Sequence, residues 1–253
     1  MTTITVGQRK GGNGKSTSAL NLAHAFALSG LRVLLIDLDD QKNSTSAIEK
    51  ATEGGASVER LLLDPELSVD DAAVPTTWDG VSLIASSASL SGAIRELDGD
   101  VGSHLVLREK LAAADSFDLC LIDTSPSLNI LVVNALCASQ WLFIPLSSKY
   151  FSLQGLGQTL DAFNKVRSRL NPELAVLGLS FVIHDRRSAL ANDVVKKARE
   201  TYPDLVCESS VGQNIKIEEA QVLKKSIFSY APLDRGASQY RALADELLAR
   251  MGA

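Results

Sequence analysis

A short β-branched run, Ile4-Thr5-Val6, leads into Lys10-Gly11-Gly12-Asn13-Gly14-Lys15-Ser16-Thr17 and then into a helical pattern, Ala19-Leu20-Asn21-Leu22-Ala23-His24-Ala25-Phe26, closed by Gly30. Strand, glycine-rich turn and helix in that order restrict the chain to an α/β design with the turn at the carboxyl end of a strand. There the backbone N–H groups and the positive end of the helix dipole converge on one point, and phosphate oxygens fit it. Gly11, Gly12 and Gly14 allow close approach, Lys15 can reach β and γ oxygens, and the Ser16 hydroxyl can ligate Mg²⁺. Thr17 can add a contact to an α-phosphate. The spacing departs from the ordinary phosphate loop, because Arg9 stands where the first glycine is expected and an extra lysine, Lys10, follows it.

The 253 residues, 45% of them hydrophobic, suffice for one large core, so residues 1–253 are read as a single domain. No apolar run approaches the roughly 18 residues that span a bilayer. The chain opens on a strand without a leader-like apolar segment, and a cytoplasmic protein is expected. Cys120, Cys137 and Cys207 lack metal-ligand spacing and sit in apolar surroundings, as small core residues do. The net charge of −5 argues against nucleic-acid binding over the whole surface. The charge is uneven, however: Asp37 to Asp100 carries 14 acidic against 4 basic residues, and Lys149 to Arg199 carries 9 basic against 4 acidic. A local polyanion-binding patch in the second half is compatible with that balance.

Short apolar runs alternate with helical patterns along the chain, the mark of a mostly parallel, twisted sheet with helices on both faces. Strands are expected at Ile4 to Val6, Arg32 to Ile36, Val81 to Ala85, Leu119 to Ile122, Leu142 to Pro145, Val176 to Ile183, Leu205 to Glu208 and Ser226 to Ser229. That makes a sheet of about seven to eight strands. Helices are expected at Lys15 to Ser29, Ser103 to Ala114, Leu128 to Ala138, Leu153 to Leu170, Ala189 to Thr201, Ile215 to Val222 and Ser238 to Met251. Thr52 to Thr77, with scattered acids and prolines, reads as loops and short helices.

Ligands gather at the carboxyl ends of such strands. The second strand ends Asp37-Leu38-Asp39-Asp40-Gln41, and the fourth ends Asp123-Thr124-Ser125-Pro126. An apolar strand closing on one aspartate commonly holds a Mg²⁺-bound water in phosphate-loop enzymes, which makes Asp123 the candidate. Asp39 could orient an attacking water.

These residues together resemble the deviant Walker ATPases of the ParA/MinD superfamily. The resemblance rests on Lys10 before the double glycine, Asn21-Leu22-Ala23, Asp37-x-Asp39-x-Gln41, Asn43-x-Thr45 and Asp123-x-x-Pro126. Asp185-x-Arg187-x-x-Leu190, Asn214-x-Lys216-x-x-Glu219-Ala220 and Gly236-Ala237-x-x-Tyr240-Arg241-x-Leu243-Ala244 point to the ParA/Soj branch. The resemblance implies a single-domain P-loop NTPase fold and Mg²⁺-dependent ATP hydrolysis. It further implies an ATP-dependent homodimer in which Lys10 of each copy crosses to the other's phosphates, as an arginine finger does. By the same carry-over Lys10, Lys15 and Asp39 are catalytic, and Ser16, Asp123 and Asp39 serve the metal. Gly11, Gly12, Asn13, Gly14, Lys15, Ser16 and Thr17 surround the phosphates, and Val182, Val211, Gly212 and Gln213 lie around the base. Asp40 departs from the family's proline, and Val182 and Gly212 stand where relatives carry a polar residue and a proline.

For this branch the resemblance implies binding of non-specific DNA and stimulation by a ParB-like partner through a basic N-terminal peptide. Lys216 matches a family arginine proposed for DNA, and Lys196, Lys197, Arg199, Lys224, Lys225 and Arg235 are further candidates. A partition ATPase acting on plasmid or chromosome DNA, nucleoid-associated with ATP and without an N-terminal helix-turn-helix domain, is the leading expectation. Positioning of protein cargo such as carboxysomes or chemoreceptor arrays is an alternative that the ATPase residues barely separate from it. A membrane-cycling division regulator like MinD would need a basic amphipathic C-terminal helix. Here Tyr240, Leu243, Leu247 and Met251 share one face while Arg241, Asp245, Glu246 and Arg250 mix signs on the other, and no stable membrane binding is expected. A reductase like nitrogenase iron protein would need paired interface cysteines, which the three buried-looking cysteines do not supply.

Overall fold

The computed structural model describes every residue except Val101, Tyr150, Arg186 and Ala253, and describes Phe151 and Gln154 by backbone alone. In chain order the elements are β1 (Thr2–Val6), α1 (Lys15–Leu28), β2 (Val33–Leu38), α2 (Asn43–Ser46), α3 (Val58–Leu63), α4 (Val69–Ala72), β3 (Val74–Pro75), β4 (Val81–Ile84) and α5 (Leu90–Leu97). A 3₁₀ turn at Ser103–Leu105 leads into α6 (Val106–Ala112), β5 (Leu119–Thr124), α7 (Ile130–Ala138), β6 (Trp141–Ser147) and α8 (Phe151–Arg169). The chain closes with β7 (Ala175–Ile183), α9 (Ala189–Thr201), α10 (Ile215–Val222), α11 (Ile227–Tyr230) and α12 (Arg235–Met251).

Among the described residues one sheet of seven strands runs in the order β3-β4-β2-β5-β1-β6-β7, with β3 antiparallel to β4 and the other strand pairs parallel. The central strands are apolar on both faces because both are covered. Along β2 the pleat sends Val33 and Leu35 into one cluster with α1 and α12, and Leu34, Ile36 and Leu38 into another with α3, α5, α6 and α7. A third cluster packs α8 and α9 on β6 and β7. Helices α1, α10, α11 and α12 therefore cover one face, and α3 and α5 to α9 cover the other. From β1 the chain turns outward to β2, and from β5 it crosses past β1 to β6 and β7. The end of β1 is thus a topological switch point, where a crevice opens.

Six of the eight expected strands form, and two expectations are corrected. Ser226 to Ser229 is helical, because the Ser226 hydroxyl caps α11 by accepting from the Ser229 N–H. Leu205 to Glu208 runs beside β7 but makes only isolated bridges, at Leu179 with Val206 and later at His184 with Gly212. The Leu205 carbonyl and the Cys207 N–H pair with the backbone of Leu179, but the ladder stops there: Glu246 accepts from the N–H groups of Glu208 and Ser209, and Arg199 and Arg250 donate to the carbonyls of Cys207 and Val206. The last helix begins at Arg235, capped by Asp234, earlier than Ser238. Short β3 and the amphipathic α5 were not anticipated. Strands β2 and β5 run on through their aspartates, so Asp37 and Asp123 belong to the sheet and face each other in register.

Candidate functional site

Gly12 and Gly14 adopt left-handed φ angles of 73° and 75°. A side chain at Gly14 would also stand 2.9 Å from Val182 Cγ2, so both conformation and space exclude one there. At Gly11 and Gly12 a Cβ would meet nothing within 4 Å, leaving the loop's outer side open. The loop and the start of α1 line a cavity of about 640 Å³ together with Asp39, Gln41, Asn43, Ser46, Ala47, Pro126, Gln221 and Val222.

Lys15 reaches into this space while remaining buried. Burial lowers its pKa, and the carboxylates of Asp123 and Asp39 pull it back up. A cation held in dry surroundings is stabilised by each further negative charge brought to it, and phosphate oxygens entering the cavity can supply that charge.

Asp123 is fully buried, and that burial, reinforced by Asp37 alongside, pushes its pKa up to about 7. The Ser44 hydroxyl donates to Asp123 Oδ2 at 2.7 Å, and Ser16 also bonds the carboxyl group. Its Oδ1 has no hydrogen-bond partner among the described residues. An orphaned carboxylate oxygen next to the Ser16 hydroxyl is a hard-oxygen pair that suits Mg²⁺. Among the described residues no three acidic or soft-ligand side chains converge to enclose a metal. The ion's remaining positions would therefore fall to phosphate oxygens and water, as is usual for magnesium.

The two other aspartates differ in task. Asp37 Oδ2 accepts from both the backbone N–H and the hydroxyl of Thr45, at 2.8 and 2.7 Å, and Oδ1 accepts from the Asp39 N–H. It braces the turn after β2. Asp39 lines the cavity, accepting from the Gln41 N–H at 3.1 Å, while Ser86 Oγ holds its carbonyl. Burial raises its pKa, opposed by the Gln41 N–H and the charge of Lys15.

The remaining expected residues fall into separate places. Ser16 and Thr17 line the cavity, but buried Asn13 turns into the protein, its Oδ1 accepting from Ser147 and Ser152 at 2.9 and 3.2 Å. Lys10 is half-buried beside α8, where a Cβ on Gly155 would come within 3.1 Å of the Lys10 Cβ. It is not among the residues lining its own chain's cavity. Val182 and Val211 are core residues, with Val182 directly beneath Gly14. Gly212 and Gln213 line a second, polar cavity of about 320 Å³ with His184, Asp185, Arg187, Arg235 and Gln239. The four base candidates are thus outside the lining of the phosphate cavity.

The basic candidates divide across the sheet. Lys196, Lys197 and Arg199 lie on α9, and Lys216, Lys224 and Lys225 lie on or just after α10, against the opposite face. Arg199 pairs with Glu208 at 2.7 Å, Lys216 with Glu219 at 2.9 Å, and Arg235 donates to the Gln213 carbonyl. Lys224 and Lys225 are exposed. Sequence reading missed Ser44 and Gln221: a serine and a glutamine carry no motif of their own, and only packing brings them to the site.

A family model for the AAA domain matches residues 1–176. The chain is 37% identical over 248 residues to the chromosome-partitioning ATPase Soj of Thermus thermophilus, covering 98% of this chain and 96% of that one. It is 35% identical over 250 residues to the chromosome partitioning protein ParA of Caulobacter vibrioides, covering 98% and 94%. The chain belongs to the ParA/Soj family of ATPases. Among solved structures, cobyrinic acid a,c-diamide synthase of Mycobacterium smegmatis with bound ADP and magnesium superposes with a TM-score of 0.84 at 28% identity, over 100% of this chain and 96% of that one. A variant of Cyanothece McdA in complex with ATP shares the fold with a TM-score of 0.85 at 21% identity, over 100% and 96%. This ParA/Soj protein is accordingly an ATPase that uses ATP with magnesium, and the glycine cradle, Lys15 and the Asp123–Ser16 pair are the parts of its own site that fit them. Among its described residues no helix is long and apolar enough to cross a membrane.

Proposed function

We propose that this chain is a partition ATPase whose ATP-bound homodimer binds non-specific DNA and is released when a ParB-like partner stimulates hydrolysis. One observation carries the reading: the loop's two lysines are separated, Lys15 in the cavity lining with Asp39 and in the field of buried Asp123, and Lys10 against α8 off that lining. A cation at the loop that does not serve its own pocket is suited to the phosphates of a second copy. Lys15 offsets charge on the β and γ oxygens, the loop N–H groups fix their positions, and Asp39 accepts a hydrogen bond from the attacking water and orients it. Magnesium, when bound through Asp123 and Ser16, neutralises phosphate charge. Lys10 from the second copy adds positive charge where negative charge develops, which makes turnover depend on dimerisation.

Exposed Lys224 and Lys225, with Lys216 nearby, supply the DNA-facing surface in this reading, and the protein is cytoplasmic and nucleoid-bound in its ATP state. Tyr240, Leu243 and Leu247 of α12 are buried against the sheet and α1, which supports DNA over a lipid surface as the platform. Light scattering after gel filtration, with ATP and Mg²⁺, tests the proposal. Asp39→Ala should persist as an ATP-bound dimer with turnover about 10²- to 10⁴-fold lower, and Lys10→Ala should bind ATP as a monomer. A Lys10→Ala chain that dimerises and turns over normally, alone and with its partner, refutes the cross-dimer role.

A further inference from the structure

Helix α1 reaches the α10–α11 segment through one ridge. Thr17, Asn21 and His24 are spaced i, i+4 and i+7, so they share a face. Gln221 Nε2 donates to Thr17 Oγ1 at 3.0 Å. Asn21 Nδ2 donates to the Thr17 carbonyl at 2.8 Å, and Asn21 Oδ1 accepts from the Ile227 N–H at 2.9 Å. His24 Nδ1 bonds the Ser226 hydroxyl at 2.5 Å. The segment bearing Lys216, Lys224 and Lys225 is therefore tied to the phosphate-loop helix along its length.

The tie at Thr17 is the one that meets the ligand. Both Thr17 and Gln221 line the 640 Å³ cavity, although 204 residues separate them in sequence. A threonine hydroxyl has one proton to give and two lone pairs to receive with. The Gln221 amide occupies a lone pair and leaves the hydroxyl proton available to a phosphate oxygen in the cavity. With phosphate bound, a chain from amide to hydroxyl to phosphate would polarise in one direction, each bond strengthening the next. Nothing in the phosphate-loop motif requires this glutamine.

We propose that Gln221 is a positioning residue for the nucleotide, acting through the Thr17 hydroxyl, and that this bond couples cavity occupancy to the cationic α10–α11 surface. The coupling to DNA rests on the function proposed above; the nucleotide effect does not. Since coupling between two sites is reciprocal, DNA should tighten nucleotide binding through the same bond.

A double-mutant cycle on the full chain tests it, with a fluorescent, slowly hydrolysed ATP analogue and Mg²⁺ as probe, with and without a short DNA duplex. Gln221→Leu and Thr17→Val should each weaken analogue binding about two- to tenfold, the worth of one hydrogen bond. The double variant should be no weaker than the poorer single one, because both remove the same bond. Thr17→Ser, which keeps the hydroxyl, should restore affinity and its dependence on Gln221. Gln221→Asn stays an amide but stops short of Thr17, and should fall with Gln221→Leu, which separates reach from any general effect on α10. With DNA present, the gain in analogue affinity seen for the unaltered chain should vanish in Gln221→Leu. Additive losses, or unaltered affinity in Gln221→Leu, overturn the proposal. An unaltered chain that binds no DNA refutes the partition reading and the DNA arm, while the cycle still decides the role of Gln221.

Discussion

Protonation of His24 should undo the junction between α1 and α11. The imidazole stacks on Trp78 at 5.4 Å, meets Phe228 edge-on at 5.9 Å and bonds Ser226. Burial lowers its pKa from 6.5 to about 4, with Asp79 opposing and Arg241 reinforcing the fall. Between those pH values the unfolded chain binds the extra proton, so stability is complete above the unfolded pKa and declines as pH drops toward the folded one. At about 1.4 kcal/mol per pH unit the full effect is about 3 kcal/mol, and about 2.5 kcal/mol of it is lost by pH 4.5. Urea unfolding from pH 4.5 to 7.5, run on the unaltered chain and on His24→Asn, isolates this contribution because the other titrating groups are common to both. The two stabilities should differ most at neutral pH and converge in acid by about 2.5 kcal/mol. A constant gap, or one that widens in acid, refutes the argument that the buried ring must stay neutral.

Two further outcomes follow from the loop and the basic surface. Gly14→Ala should lose at least about 1–2 kcal/mol of stability from its left-handed backbone, more with the Val182 contact, whereas Gly11→Ala should melt normally yet bind ATP poorly because its methyl group enters the phosphate space; normal ATP binding by Gly11→Ala in calorimetry would show that phosphates do not lie there. Lys225→Gln and Lys224→Asn, the latter suited to the left-handed φ of 54°, should each reduce the salt slope of DNA affinity by about one; unchanged slopes for both would place the DNA surface elsewhere.

The phosphate loop was legible because its chemistry is local: a strand, three glycines, a lysine and a serine within one turn of chain suffice to build the cradle. The strand-end acids were legible from their positions, which singled out Asp123 and Asp39, but their surroundings were not. Asp37 and Asp123 look alike in sequence, and they part only through hydrogen bonds, Thr45 satisfying the first while Asp123 keeps an open oxygen. Ser226 to Ser229 misled because its apolar Ile227-Phe228 pair suits a strand, while the serine cap that makes it helical acts through a single hydrogen bond. Arg199 and Lys225 read as equivalent cations until Glu208 is seen to hold the first.

Periodicity and motif spacing alone determined that this chain is a parallel α/β protein with a nucleotide-phosphate loop and carboxylates at the strand ends, since those features depend on neighbours a few residues apart. The sequence also singled out Asp123 and Lys15, but only the tertiary structure showed the buried, unpartnered oxygen of Asp123, the burial of Lys15 and that Gln221 reaches Thr17. Each of these depends on desolvation and on contacts between segments far apart in the chain, and burial changes what a charge or a hydroxyl can do without changing the residue that carries it.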